Sequence, residues 1–198
     1  MQILISEPCL FLQPVAIPLM RFGVKSDSGY VGSESCLIDP SSVLSFGLKD
    51  DWSFEQTVFE LLPNANIHSY DPSVSLWSFI YSLAIGLKQL FLFRDLTLWG
   101  RLKVLVSYLR FFNRTDRRHI KLLVNDEYVE GKSVTFDRAV EEIPVEHNLI
   151  LKMDIEGDEY KVLPEVLNSS SLSRITAVLL SFMIWVQDGL NLCGWLKI

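Results

Sequence analysis

Three groups of acidic residues follow short apolar runs of the sequence, and their carboxylates could do chemistry. A carboxylate can grip the two hydroxyls of a ribose, and it can orient or deprotonate a hydroxyl group that is about to react. The three groups are Asp50 with Asp51, Asp71 alone, and Asp154 with Glu156. Gly47 precedes the first group, and a glycine there would let the backbone come close to a ligand. The pattern indicates a small-molecule site built from the ends of several elements.

The second and third groups each have a structural interpretation as well as a chemical one. Asp71 directly follows a predicted strand, which is where nucleoside-binding folds place a carboxylate that binds ribose. The dipeptide Asp71-Pro72 also commonly starts a turn. Asp154 and Glu156 lie beside Gly157 at the end of another predicted strand, where open parallel sheets bind ligands. Alternatively, they lead into the next helix with an acid near its first turn.

Other kinds of site find little support in the sequence. The three histidines, His68, His119 and His147, are isolated and match no metal-ligand spacing, so no metal site is predicted. The three cysteines are widely spaced, which provides neither a disulfide framework nor a zinc site and indicates a reducing compartment. The sequence has no nucleophile elbow and no phosphate-binding glycine loop.

Alternating strands and helices must position the carboxylates. The predicted strands cover 43–47, 65–70, 149–155 and 175–182, and the predicted helices cover 53–62 and 158–167. In the last helix we expect Tyr160, Leu163 and Leu167 to face inward. Uniformly apolar strands that alternate with helices indicate a parallel sheet covered on both faces. The predicted fold class is therefore α/β, with a doubly wound sheet.

A different kind of segment follows the second predicted strand. Apolar residues recur at helical spacing over 76–93 and 98–112, which predicts a helical insertion at about 76–121. Its opposite face carries four cations, Lys103, Arg110, Arg114 and Arg117. Residues 88–121 contain nine Lys and Arg against two Asp, a balance of +7, while the rest of the chain carries −13. This face could bind an anionic membrane surface or an acidic partner, or it could simply be solvated.

Length and charge limit the remaining classes. A chain of 198 residues with net charge −6 predicts one domain over 1–198, and its acidity argues against nucleic-acid binding. The apolar start of the chain lacks a basic region and is broken by prolines, so we predict no signal peptide and a cytoplasmic location. The apolar run over 74–93 contains Lys88, which favours a buried or interfacial helix over a spanning one. Arg94 and Asp95 argue against a membrane-inserted hairpin.

The order and spacing of five sequence blocks resemble the FkbM-type family of S-adenosylmethionine-dependent methyltransferases. The blocks are 21–31 (RFGVKSDSGYV), 45–55 (SFGLKDDWSFE), 68–73 (HSYDPS), 133–137 (SVTFD) and 151–160 (LKMDIEGDEY). No single block is specific, and the resemblance runs from about residue 21 to about residue 167. The sequence resembles the branch of the family whose first loop reads like SFGxxDDxSFE, and not like the glycine-rich loop GxGxG. This resemblance implies a Rossmann-like sheet.

The resemblance also implies S-adenosylmethionine as the cofactor and assigns roles to particular residues. Gly47 and its loop would hold the methionine part, and Asp71 would take the ribose hydroxyls. The other implied cofactor contacts are Phe46, Asp50 and Ser73. Asp154 and Glu156 would face the methyl group and the acceptor, as a base or as groups that orient a hydroxyl. The implied reaction is O-methylation of a small molecule or a glycan.

The carboxyl-terminal part of the sequence departs from the family pattern. After the predicted strand over 175–182, family members continue with an acidic stretch and two more strands, whereas this chain ends at Ile198. We expect the strand over 175–182 to be an exposed sheet edge, which is prone to pairing. The alternative function is therefore a truncated, non-catalytic methyltransferase-like protein that acts by binding a partner or a membrane surface.

Overall fold

The computed structural model describes residues 18–24, 29–93, 97–184 and 194–197. The strands are β1 (Leu19–Phe22), β2 (Tyr30–Ser33), β3 (Pro40–Phe46), β4 (Asn66–Tyr70), β5 (Arg117–Ile120), β6 (Leu123–Val124), β7 (Ser133–Val134), β8 (Asn148–Met153), β9 (Ile175–Ile184) and β10 (Gly194–Lys197). The helices are α1 (Ser53–Leu61), α2 (Leu76–Phe93), α3 (Thr97–Phe112), α4 (Phe136–Glu141) and α5 (Glu159–Asn168). Short 3-10 turns cover Glu34–Leu37 and Leu172–Arg174.

The central sheet has the strand order β5-β4-β3-β8-β9-β10. The first five strands in this order are parallel, and β10 runs antiparallel to β9. From β3 the chain moves outward through β4 to β5, then returns to the other side of β3 and continues through β8 to β9. The strand order therefore reverses between β3 and β8. This confirms the predicted α/β class with a parallel sheet.

Successive side chains along the strands point alternately into two hydrophobic cores, one on each face of the sheet. Val43 and Ile150 point into the first core, where they meet apolar side chains of α1 and α3. Leu44 and Leu151, their sequence neighbours, point into the second core and meet α4 and α5. Because both faces are covered, these strands carry continuous apolar runs instead of alternating polar residues.

The two helices predicted after the second strand are present as α2 and α3. The side chains of Tyr108 and Phe111 on α3 are buried in the first core, so this helix is part of the layer that covers the sheet. Among the side chains of α2 that the structure describes, that of Phe79 is buried in the first core, and many others are exposed. Arg94 and Asp95, which the sequence analysis placed between the helices, lie outside the described residues.

The inward face of α5 differs from the prediction. Tyr160 and Leu167 are exposed, whereas Val162 and Val166 are buried and Leu163 is partly buried. The carboxylate of Glu159 turns inward and accepts hydrogen bonds from the backbone amides of the preceding turn. This anchoring of the first residue sets the rotation of the helix, so the predicted set of inward residues was wrong at two of three positions.

The predicted exposure of the fifth parallel strand was also wrong in part. β10 pairs with β9 along Ser181–Ile184, in the register Gly194 to Ile184 and Lys197 to Ser181. The carboxyl-terminal part of β9 is therefore covered. Residues 185–193 between the two strands lie outside the described part of the chain. Among the described helices, none combines the length and the apolar character needed to cross a membrane.

Candidate functional site

The acidic groups predicted from the sequence lie together at the edge of the sheet where the parallel strands end. This carboxyl edge comprises the loops over 47–51, 71–75 and 154–158, which follow β3, β4 and β8. Direct hydrogen bonds join the three strand ends: the amide of Gly47 donates to the carbonyl of Tyr70 at 2.9 Å, and the amide of Asp154 donates to the carbonyl of Phe46 at 2.8 Å. Open α/β sheets bind ligands at this kind of edge, where the strand order reverses.

Gly47 has a structural reason to be glycine. Its φ of +83° lies in the left-handed region, and a Cβ atom at this position would collide with the backbone carbonyl of Asp154. The sequence predicts that Gly47 lets the backbone approach a ligand, whereas in the structure Gly47 lies against the backbone of the loop after β8. The absence of a side chain thus lets the loops after β3 and β8 pack directly against each other.

Two residues with side chains also adopt left-handed backbone conformations at this edge. Lys49 has φ +49° and Glu156 has φ +59°. Such conformations are uncommon for residues other than glycine, and they cluster at binding and catalytic sites. The ammonium of Lys49 pairs with the Glu156 carboxylate across the two loops, and this hydrogen bond raises the pKa of Lys49. Both side chains are about half exposed, so the pair contributes little to stability.

The carboxylate of Asp71 is buried, and both of its oxygens already accept hydrogen bonds. Oδ2 accepts from the amides of Leu48 and Lys49, each at 2.7 Å. Oδ1 accepts from the amide and the hydroxyl of Ser73, each at 2.6 Å. Burial raises the pKa of Asp71, but the hydrogen bonds from Ser73, Lys49 and Leu48 outweigh burial and lower it overall. The carboxylate therefore ties the loop after β4 to the loop after β3.

Asp154 is held by a side chain from β2, which pairs antiparallel with β1. The hydroxyl of Tyr30 on β2 donates to Oδ2 of Asp154 at 2.8 Å. Burial of this tyrosine, together with the negative charge of Asp154, strongly raises its pKa, so the hydroxyl stays protonated and remains a donor. This role of Tyr30 was not predicted from the sequence, although residues 21–31 belong to the blocks on which the resemblance rests. Because Tyr30 and Asp154 are 124 residues apart in the sequence, no local sequence pattern predicts their hydrogen bond.

A buried ion pair lies beneath the carboxyl edge, and the sequence analysis missed it. The ammonium of Lys152 on β8 lies 3.2 Å from the Glu55 carboxylate on α1, and it donates to the carbonyl of Gly47 at 2.7 Å. The hydroxyl of Ser45 donates to the same carboxylate at 2.5 Å. One sequence signal could have found this pair, because a lysine inside an otherwise apolar strand needs a buried anion.

The remaining predicted site residues differ in how accessible they are. Phe46 is fully buried in the second core, edge-on to Tyr70 and Phe136, so only its backbone lies at the carboxyl edge. Asp50 and Ser73 are exposed, and Ser73 donates both of its hydrogen bonds to Asp71. Within the described ranges, no cluster of His, Cys, Asp or Glu has the geometry to hold a metal ion.

Together the loops of the carboxyl edge bring two carboxylates, those of Asp154 and Glu156, to one end of the sheet. Asp154 is half buried and oriented by Tyr30, whereas Glu156 is exposed and paired with Lys49. This arrangement can orient a hydroxyl group or accept its proton at the point where strand order reverses. Comparisons with known proteins found that the sequence matches no family model and no curated protein, and that no solved structure matches the fold.

Proposed function

We propose that the chain binds S-adenosylmethionine at the carboxyl edge of a Rossmann-like doubly wound sheet and transfers its methyl group to a hydroxyl of a small molecule or a glycan. One observation carries this proposal. The reversal of strand order between β3 and β8 brings together the loops that hold Gly47, Asp71 and Asp154, each at the end of a parallel strand.

The residues at the edge fit this cofactor after one exchange of hydrogen bonds. Asp71 is the right chemical group for a ribose diol, but its oxygens are occupied within the chain. The bonds to Oδ2 come from two backbone amides of the loop after β3 and hold that loop. The bonds to Oδ1 come from Ser73, an exposed residue two positions further on. A ribose would replace the Ser73 hydroxyl on Oδ1 and leave the loop anchored.

Bound S-adenosylmethionine would supply an electrophilic methyl group on its sulfonium, and the protein would position the acceptor and remove its proton. We assign Asp154 to orient the acceptor hydroxyl and receive its proton, since Tyr30 holds this carboxylate in place. We propose that the carboxylate of Glu156 makes the first contact with the incoming acceptor. It is exposed, and its pair with Lys49 can open without burying an unpaired charge.

Calorimetric titration with S-adenosylmethionine and S-adenosylhomocysteine tests the proposal. We expect saturable binding to the unaltered chain and its loss in Asp71→Asn. Ser73→Ala should bind about two- to tenfold more tightly, because one competing hydrogen bond to Oδ1 is gone. Glu146→Gln makes the same charge change as Asp71→Asn at an exposed position preceding β8, and it should bind like the unaltered chain. Absence of heat from a sample with native circular dichroism would refute cofactor binding.

One observation favours the alternative of a non-catalytic protein. Groups of the chain itself bind both oxygens of Asp71 and one oxygen of Asp154, as expected for a site that serves only to hold loops together. The same titration separates the two functions. In the non-catalytic case, Ser73→Ala would change stability slightly and bind neither ligand.

A further inference from the structure

We propose that the outer face of the α2–α3 hairpin docks on an anionic lipid bilayer. The outer face is defined by the exposed apolar residues Trp77, Ile80, Tyr81 and Leu87 of α2 and Trp99, Leu102, Val106 and Leu109 of α3, together with the cations Lys88, Lys103 and Arg110. This inference does not depend on the proposed methyl transfer, because none of these residues belongs to the carboxyl edge.

On α2 the exposed apolar residues form one stripe. Trp77 is 79% exposed and Tyr81 is 71% exposed, and Ile80 and Leu87 continue the same side of the helix at spacings of three, four and seven residues. The opposite side is occupied by other contacts. Phe79 is buried in the first core, and the close approach of Gly86 to Arg101 marks the side that packs on α3. The stripe therefore points away from the rest of the fold.

On α3 a second apolar stripe runs beside cations. Trp99 is 62% exposed, and Leu102, Val106 and Leu109 follow it at spacings of three and four residues along the helix. Lys103 and Arg110 adjoin this stripe, and both are exposed. Four large apolar residues in one exposed row are unusual for a surface that faces only water.

The chemistry of this surface selects a bilayer as its occupant. Tryptophan and tyrosine favour the interface of a membrane, where the ring is in the apolar layer and its polar atom reaches water. Lysine and arginine beside them bind the headgroups of anionic lipids. The helices α2 and α3 contain no Asp or Glu, and their cations Lys88, Lys103 and Arg110 are exposed, so this surface attracts an anionic one.

The structure changes which cations take part. Arg117 was predicted on the same face as Lys103 and Arg110, but it lies on β5, and its guanidinium stacks 4.1 Å from the ring centre of Phe59. Its side chain is largely buried, so it cannot reach a lipid headgroup. An interfacial contact also needs no helix that crosses the bilayer, which agrees with the lengths and compositions of the described helices.

Vesicle co-sedimentation of the full chain tests the inference. We expect binding to vesicles of phosphatidylcholine with phosphatidylserine, little binding to phosphatidylcholine alone, and weakening by salt. Lys103→Gln/Arg110→Gln should lower the partition coefficient by about thirtyfold, the effect of two lost surface cations. Lys132→Gln/Lys161→Gln removes the same charge from exposed positions elsewhere and should bind like the unaltered chain.

A second pair of variants tests the apolar stripe. Trp77→Gln/Tyr81→Gln keeps every charge and should also weaken binding, whereas Tyr160→Gln, an exposed aromatic on α5, should not. Circular dichroism verifies that each variant is folded. Equal binding to both kinds of vesicle, no binding to either, or insensitivity to both test variants would overturn the inference. Complete absence of vesicle binding by the folded chain would point instead to an acidic protein partner.

Discussion

Lys152 carries a charge into the first core, where the rings of Tyr30 and Phe54 lie within 6 Å of its ammonium. An ammonium buried at such a place without partners would be strongly destabilising, so the charge of Lys152 is tolerated only because Glu55 and the carbonyl of Gly47 pair with it. These contacts join β8, α1 and the first loop of the carboxyl edge. A substitution here therefore affects both stability and the shape of the edge.

We expect Lys152→Met to lower the free energy of unfolding by about 3–5 kcal/mol, because the Glu55 carboxylate then stays buried without its ammonium. Urea denaturation measures the change. Adding Glu55→Leu to Lys152→Met should restore much of the loss, since both charges are then gone. Lys161→Met, which removes the exposed partner of Asp158, should have little effect. Equal losses in Lys152→Met and Lys161→Met would contradict this account of the pair.

At the scale of elements, two glycines distinguish the free and the packed sides of the helical hairpin. A Cβ atom at Gly100 on α3 would meet nothing within 4 Å. At Gly86 on α2 it would lie 3.0 Å from Cδ of Arg101 and 3.3 Å from a methyl group of Leu98. Gly86 therefore permits the close approach of the two helices, whereas Gly100 has no such role.

Gly100→Ala should raise the free energy of unfolding by about 0.5–1 kcal/mol, because alanine loses less backbone entropy in a helix. Gly86→Ala should gain less or lose stability, since the Arg101 side chain must shift. Thermal unfolding of the two variants side by side provides the comparison. Equal stabilisation by both would mean that Gly86 does not determine the helix packing.

The sequence predicted most elements because their signals are local. The apolar run over 43–47 and the helix that ends before Pro63 correspond to β3 and α1. The inward face of α5 was mispredicted because it depends on the hydrogen bonds of Glu159 to the preceding turn. Covering of β9 by β10 was missed because a four-residue strand leaves almost no pattern in the sequence.

For the candidate site, the sequence predicted where the acidic groups lie but not what holds them. Strand ends gather at one edge by topology, so Asp71 and Asp154 could be placed from the alternation of strands and helices. Their partners could not be predicted, because Tyr30 is 124 residues from Asp154 and Lys152 is 97 residues from Glu55. Such contacts depend on the folded chain and not on spacing.

At the scale of the whole molecule, two buried groups, His68 and Asp71, and the partly buried His119 make stability depend on pH. Burial lowers the pKa of His68 and of His119 below the ordinary value of 6.5. Hydrogen bonds lower that of Asp71 below 3.8 despite its burial. Each group binds protons less readily in the folded state than in the unfolded state. Stability therefore rises with pH through each window: below 6.5 for the histidines and below 3.8 for Asp71.

We expect the free energy of unfolding to stay nearly constant above about pH 7.5, where His68 and His119 are neutral in both the folded and the unfolded chain. It should fall as the pH drops through 6.5 toward 5. Urea denaturation across this range measures the slope. His119→Gln should make the slope shallower, because one of the two histidines with a lowered pKa is gone. An unchanged slope would exclude His119 as a contributor.

The short connection between the carboxyl edge and α2 gives the proposed membrane contact a geometric consequence. Trp77 lies four residues after Ser73, a stretch of chain that spans at most about 14 Å. A bilayer that holds Trp77 would keep Asp71 and its neighbours close above the headgroups. An acceptor anchored in that leaflet would then reach the edge by diffusing in two dimensions, while a dissolved acceptor would have to arrive from the opposite, aqueous side.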